Sequence, residues 1–148
     1  MDLLNNTDNE NNSHLDPSSL SILIVDDNFD IVRFIERGLK EYGFNVAAFT
    51  DPVRALEDFK VNCNHYNIIL SDIRMPRMNG YEFVKKVKEI DKQAKIVVMS
   101  KFEVNHDREL YNMLTEVKID SFLQKPFSMA KLTHIMEKIR MHNDYVFV

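Results

Sequence analysis

Short apolar runs alternate with amphipathic stretches along the chain from residue 20 onward. Each run is brief, is rich in aliphatic and β-branched residues, and is bounded by polar or turn-forming residues. This pattern is typical of a buried strand rather than a helix. The predicted strands are residues 20–25, 45–49, 67–71, 95–99 and 119–124.

The stretches between these strands place apolar residues at the spacing of a helix face. Asp51 followed by Pro52 is a signal for the start of a helix, with an N-cap residue and a proline in the first helical position. Ser128 is expected to cap the last helix, which we expect to end near Met141. The apolar positions that mark the five helices are Val32, Ile35 and Leu39; Leu56 and Phe59; Phe83, Val84, Val87 and Ile90; Leu110, Met113, Leu114 and Val117; and Leu132, Ile135, Met136 and Ile139.

The element order is therefore βαβαβαβαβα. Strands that are apolar throughout and separated by helices indicate a parallel sheet with helices on both faces and right-handed crossovers. In such α/β folds, ligands bind at the carboxyl ends of the strands. The residues that directly follow each apolar run are consequently the candidates for function.

Composition narrows the class of protein. Hydrophobic residues make up 45% of the chain and charged residues 28%, as in soluble globular domains. The net charge is −4 with both signs interspersed, which does not favour a nucleic-acid surface. No apolar stretch approaches the length of a membrane span. The lone Cys63 excludes an internal disulfide and suits a reducing compartment, so we expect a cytoplasmic protein.

The first residues differ from the rest in composition. Residues 1–19 are rich in Asn, Asp and Ser and have few large apolar side chains, and they do not resemble a signal peptide. Such a segment buries too little surface to offset its ordering entropy. We expect a flexible tail at 1–19, with a docking segment as the alternative, a folded domain at 20–141 and a C-terminal tail at 142–148.

Side chains that could take part in chemistry directly follow four of the five predicted strands. Asp26 and Asp27 follow the first strand, Asp72 the third, Ser100 the fourth and Lys125 the fifth. Converging carboxylates raise one another's pKa unless a cation neutralises them, and oxygen ligands select a hard ion such as Mg²⁺. A hydroxyl and an ammonium group suit the oxygens of a phosphoryl group. Together these residues predict phosphoryl transfer to a carboxylate nucleophile.

Each residue taken alone has a simpler explanation. An Asp after a strand is often only a helix N-cap, which would account for Asp27 or Asp51, and a Lys-Pro pair is usually a loop. The interpretation as a site depends on the whole constellation at successive strand ends.

The chain resembles the receiver domains of response regulators over about residues 20–141. The matching segments are Ile-Leu-Ile-Val-Asp-Asp-Asn at 22–28, Ile-Ile-Leu-Ser-Asp-Ile-Arg-Met-Pro-Arg-Met-Asn-Gly at 68–80, Val-Val-Met-Ser at 97–100 and Phe-Leu-Gln-Lys-Pro-Phe at 122–127. The resemblance implies a three-layer, doubly wound flavodoxin-like fold whose five-stranded parallel sheet has the order 2-1-3-4-5. It also implies phosphorylation by a sensor histidine kinase or phosphotransfer protein.

The resemblance implies a role for each strand-end residue. Asp72 would accept the phosphoryl group, and Ser100 and Lys125 would contact its oxygens. Mg²⁺ or Mn²⁺ would be held by Asp27, Asp72 and the backbone carbonyl of Arg74, with Asp26 holding a metal-bound water. Phe122 occupies the position of an aromatic switch residue that moves together with Ser100, although an aromatic residue in a strand is more often simple core filling.

The sequence departs from the family pattern after Ser100. The segment 101–119 is longer than in typical members, which suggests an altered fourth helix. Lys101 and Phe102 replace small residues, and Arg74 places a long cation two residues after the acceptor. We expect these side chains to shield the acyl phosphate from water or to change which donor fits. The simpler alternative is that Lys101 and Arg74 point into solvent.

Output and partners follow from the same resemblance. Only residues 142–148 follow the domain, so we expect no DNA-binding output domain in this chain. Output is expected through contact with a downstream protein, through onward phosphotransfer, or through a homodimer linked to phosphorylation, without nucleic-acid or membrane binding. A role as a phosphorelay shuttle or phosphate sink remains open.

Two alternatives come from other classes. A phosphohydrolase of the haloacid-dehalogenase kind would need a second Asp where Arg74 stands and a cap domain. The second alternative is a receiver-like interaction module that is never phosphorylated, which the sequence gives no reason to prefer because all the acceptor-site residues are present.

Overall fold

Five parallel strands form one sheet in the order β2-β1-β3-β4-β5. A computed structural model of the protein describes residues 20–101 and 108–145. The predictions for residues 1–19, 102–107 and 146–148 lie outside this part of the chain. The strands are β1 (Ser21–Val25), β2 (Asn45–Phe49), β3 (Ile68–Asp72), β4 (Lys95–Ser100) and β5 (Ser121–Gln124).

The helices alternate with the strands, as the hydrophobic pattern predicts. A short 3₁₀ turn (Cys63–His65) follows α2, and a π-helical segment (Met113–Val117) follows α4. The helices are α1 (Phe29–Glu41), α2 (Pro52–Asn62), α3 (Gly80–Ile90), α4 (Arg108–Asn112) and α5 (Met129–Tyr145). Together with the strand order, this confirms the doubly wound α/β fold.

The last helix is longer than the sequence analysis predicts. The expected end near Met141 is wrong, because α5 continues to Tyr145. Residues 141–145 contain neither glycine nor proline, the residues that most often end a helix, so nothing in the local sequence stops it.

Each face of the sheet has its own core. Side chains alternate between the two faces along a strand, so Leu23 and Val25 join one buried cluster while Ile22 and Ile24 join the other. The first cluster includes residues of α2 and α3, and the second includes residues of α1 and α5. This arrangement gives the predicted three layers. Within the part of the chain described, no helix is long and apolar enough to cross a membrane.

Four of the helices have a side-chain N-cap at their first turn. Asn28 accepts a hydrogen bond from the Ile31 amide, and Asp51 accepts one from the Val53 amide. Asn79 and Ser128 likewise cap α3 and α5. The cap of α1 is therefore Asn28 and not Asp27, which leaves the Asp27 carboxylate available for other contacts.

Replacement of Asp51 by alanine should lower the free energy of unfolding by about 1 kcal/mol, because the first turn of α2 loses its cap. The ion pair between Asp51 and Arg77 is largely exposed and adds little. Urea unfolding measures the effect. Glu57→Ala, on the exposed face of the same helix, is the control and should be near neutral. Equal stabilities of Asp51→Ala and the control would contradict the capping role.

Candidate functional site

Three carboxylates meet at the carboxyl ends of β1 and β3. Asp26 and Asp27 directly follow β1, and Asp72 is the last residue of the neighbouring β3. One ligand oxygen from each lies within 4.8 Å of the others. Asp26 is fully buried and Asp72 is 8% exposed, whereas Asp27 is exposed to solvent. The three residues predicted from the strand ends are therefore brought together by the fold.

Lys125 neutralises part of this charge from the far side of β4. Its Nζ donates hydrogen bonds to Asp26 Oδ2 at 2.6 Å and to Asp72 Oδ1 at 3.2 Å. The Lys125 side chain is only 9% exposed. Its amide donates to the carbonyl of Ser100 at 2.7 Å, which ties the exit of β5 to the end of β4. The Lys125–Pro126 peptide bond is cis.

The pKa values of Asp72 and Lys125 are both raised in this arrangement. Burial, followed by the charge of Asp26, raises the pKa of Asp72 to about 6, although Lys125 and the Ile73 amide lower it in part. Burial lowers the pKa of Lys125, but the hydrogen bond to Asp26 and the two carboxylate charges outweigh that effect, so its pKa is raised. Lys125 is consequently charged at neutral pH, and Asp72 is mostly ionised there.

The two Asp residues after β1 are not equivalent. Asp26 Oδ1 accepts a hydrogen bond from the Asn28 amide at 2.9 Å, and its other oxygen accepts from Lys125. Within the described ranges 20–101 and 108–145, no hydrogen bond to the Asp27 carboxylate is found. The Asp27 and Asp72 oxygens are thus better placed than those of Asp26 for direct contact with a cation. This oxygen-only donor set fits a hard divalent ion such as Mg²⁺.

Gly80 positions the backbone of Asp72. The Gly80 amide donates to the Ile73 carbonyl at 2.6 Å, which docks the start of α3 on the end of β3. A Cβ at position 80 would collide with the Asp72 carbonyl oxygen and lie 2.7 Å from the Ile73 Cα. This role of Gly80 is not predicted by the motif at 68–80, of which Gly80 is the last residue. The Asn-Gly pair at a helix start was the available signal.

The carboxylates open into a cleft of about 390 Å³. Ser100 is buried at its wall, whereas the side chains of Arg74 and Lys101 are exposed. Phe122 is half-buried and packs against the core on the face covered by α2 and α3, outside this lining. The residues that line the cleft are Asp26, Asp27, Asn28, Ile31, Asp72, Ile73, Arg74, Ser100, Lys101 and Lys125.

The chain matches the family model described as the response regulator receiver domain over residues 22–137. It is 30% identical over 121 residues to the response regulator receiver protein CpdR of Brucella abortus, a match covering 80% of this chain and 94% of CpdR. It is 30% identical over 125 residues to the autoinducer 1 sensor kinase/phosphatase LuxN of Vibrio campbellii, covering 84% of this chain. That match spans only 14% of LuxN, so the chain corresponds to a small part of that relative.

A solved structure shares the fold. A chain in the crystal structure of the CheX–CheY–BeF3–Mg²⁺ complex of Borrelia burgdorferi aligns with a TM-score of 0.71 and 26% identity. The alignment covers 87% of the present chain and 90% of that chain.

Asp72→Asn should stabilise the metal-free protein at pH 7 by about 1–3 kcal/mol. The pKa of Asp72 is raised in the fold from 3.8 to about 6, so the native state binds its proton more tightly than the unfolded state. Its ionisation therefore costs native stability as pH rises through this window, and below about pH 4 the cost is absent. Urea unfolding in the presence of a chelator, at pH 7 and at pH 4, measures the gain.

The control for this prediction is Glu57→Gln, which changes an exposed carboxylate on α2. It should leave stability near that of the wild type at both pH values. A gain for Asp72→Asn that is the same at pH 4 and pH 7, or a loss at pH 7, would contradict the assigned electrostatics.

Gly80→Ala should cost several kcal/mol or prevent folding, because the new Cβ meets backbone atoms that cannot move independently of β3. Gly38→Ala is the matched comparison. Its Cβ meets the flexible Met129 side chain instead of backbone, and the helix interior favours alanine. Thermal unfolding by circular dichroism ranks the two. A Gly80→Ala protein as stable as Gly38→Ala would show that α3 does not hold Asp72 this closely.

Proposed function

Because the chain belongs to the family of response regulator receiver domains, we propose that it is a phosphoacceptor of a two-component or phosphorelay system, with Asp72 as the acceptor. Phosphorylation of an aspartate in two-component signalling is the role of this family. The observation that carries the assignment is the pairing of Asp72, at the end of β3, with the buried Lys125 and two further carboxylates. The proposed donor is a phosphohistidine on a sensor histidine kinase or phosphotransfer protein.

The chemistry requires an ionised nucleophile in a site that tolerates more negative charge. A carboxylate oxygen of Asp72 attacks the phosphorus, an acyl phosphate bond forms, the phosphorus–nitrogen bond breaks, and the released imidazole takes up a proton. The pKa of Asp72, raised to about 6 by burial, still leaves it mostly ionised at neutral pH. Lys125 offers a fixed positive charge beside the attacking oxygen.

Asp27, Asp72 and the backbone carbonyl of Arg74 would hold Mg²⁺ or Mn²⁺, and Asp26 would orient a bound water. When bound, the ion would neutralise charge on the phosphoryl oxygens. The donor set supports this proposal, since it offers carboxylate oxygens from three residues that can face one point. The similar Borrelia structure is of a complex that contains BeF3 and Mg²⁺.

Ser100 and Lys125 would contact different oxygens of the phosphoryl group, and Phe122 would respond to the movement of Ser100. The register supports a direct link, because β4 and β5 pair Val98 with Phe122 and Ser100 with Gln124. A shift of Ser100 toward the cleft therefore acts on the strand that carries Phe122. In this proposal the phosphoryl contacts favour one of two packings, which changes a protein-binding surface on α4, β5 and α5.

The family is one of signalling phosphoacceptors rather than enzymes that turn over separate substrates. We further propose that the site assists its own dephosphorylation, that the protein is cytoplasmic, and that a downstream protein or a second copy of the chain reads the phosphorylated state. The domain is proposed to begin at residue 20 and to include all of α5, which continues to Tyr145, so the matched range of 22–137 lies inside it. Residues 1–19 are proposed as its N-terminal tail.

Incubation with acetyl phosphate and Mg²⁺ should add one phosphoryl group to the wild type, and Asp72→Asn should remain unmodified. Intact-protein mass spectrometry detects the change. Asp51→Asn is the matched control, because Asp51 lies beside the same sheet edge after β2 but serves as a helix cap. It should be modified like the wild type.

A second arm of the experiment tests whether the protein requires a kinase as its donor. It uses a histidine kinase that carries a labelled phosphohistidine. Modification of Asp72→Asn to the wild-type extent would sink the assignment. So would an unmodified wild type in both arms, which would instead favour an interaction module that is never phosphorylated.

A further inference from the structure

The cleft above Asp72 carries more positive charge than the proposed acceptor chemistry uses. Lys101 lines the cleft, follows Ser100 directly and is exposed at the mouth. The Lys125 amide bonds to the Ser100 carbonyl, so Lys101 leaves β4 beside Lys125 on the same wall. The two lysines differ in access, because the Lys125 side chain is only 9% exposed.

The charges in the floor of the cleft do not attract an anion. Asp26, Asp27 and Asp72 bring three negative charges and Lys125 one positive charge, so two negative charges remain. A bound divalent cation would bring the net charge of the floor only to zero. The ammonium of Lys125 already donates to two carboxylates. With the ion bound, a phosphodonor that carries close to two negative charges therefore meets a floor of no net charge, and long-range attraction has to come from the exposed cations that line the cleft, Lys101 and Arg74. Of these two, Lys101 lies beside Ser100 and Lys125.

We propose that Lys101 is a specificity-determining residue that draws dianionic phosphodonors into the cleft and holds the phosphoryl group over Asp72. This proposal rests on the proposed function of Asp72 as acceptor. Fixed charge at a cleft mouth raises the local concentration of an oppositely charged reactant, and the effect weakens as ionic strength rises. With an acyl phosphate, the Asp72 oxygen–phosphorus bond forms, the phosphorus–oxygen bond to the carboxylate breaks, and the carboxylate leaves. Lys101 transfers no proton.

The test compares Lys101→Gln with wild type in reaction with acetyl phosphate and with phosphoramidate, at low and high salt in Mg²⁺. Acetyl phosphate is close to a dianion at neutral pH, whereas phosphoramidate carries one net negative charge. For Lys101→Gln we expect about a three- to ten-fold lower rate with acetyl phosphate at low salt. The loss should be smaller with phosphoramidate, and it should fade near 1 M salt, where the screening length is about 3 Å.

The matched control is Lys60→Gln, which removes an exposed lysine from the last turn of α2, at the opposite edge of the sheet. Its rates should follow those of the wild type at every salt concentration. Unfolding curves of the three proteins should coincide, which separates steering from loss of structure. Equal rates and salt dependence for Lys101→Gln and wild type would overturn the proposal. So would an equal, salt-independent loss with both donors.

A binding measurement tests the same residue without any reaction. Inorganic phosphate is titrated into each protein with Mg²⁺, and the amide signals of residues 100, 101 and 125 are followed by NMR. Lys101→Gln should bind phosphate at least about three-fold more weakly than the control at low salt. Equal affinities would refute the role of Lys101 even if Asp72 accepted no phosphoryl group, whereas an unmodified wild type with the expected affinities would refute only the acceptor.

Discussion

The shared contact of Lys125 with Asp26 and Asp72 is the interaction on which the site depends. Buried carboxylates are costly unless a positive charge and hydrogen bonds compensate them, and here one ammonium group serves both. Its strand, β5, is separated from β3 by β4, so the lysine stem has to reach past the end of β4 to join them. Because one positive charge faces two carboxylates, with a third close by, the cleft stays short of neutralisation and suited to a cation.

The backbone around Asp72 explains how this charge is held in place. Asp72 is still within the β3–β4 ladder, paired with Met99, and its carbonyl lies against Gly80 at the start of α3. Asn28 caps α1, a task that Asp27 would otherwise be suited to perform. Because Asn28 serves as this cap, the Asp27 carboxylate remains available for the cleft.

Much of the fold and of the site could be predicted from the amino-acid sequence. Apolar runs and helical spacing indicate strands and helices, and parallel strands bring their carboxyl ends to one edge, so Asp72 and Ser100 were expected there. The contact of Lys125 with Asp26 was not foreseen, because it joins residues 99 positions apart through side-chain geometry that no spacing rule describes. The end of α5 is predicted too early, near Met141 instead of Tyr145, because no glycine or proline marks it.

The segment after α4 shows most clearly what hydrophobic periodicity does not predict. Apolar spacing indicates a helix there but does not distinguish an α turn from a π turn. In the structure the Lys118 amide bonds back five residues to Met113, and Thr115 donates to the Tyr111 carbonyl. Met113, the first residue of this wider turn, stays buried. Tyr81 on α3 donates to Glu116 at 2.6 Å, so the π-helical segment is joined to the helix whose first residue supports Asp72. This bond is one link between the backbone that holds Asp72 and the surface formed by the π-helical segment.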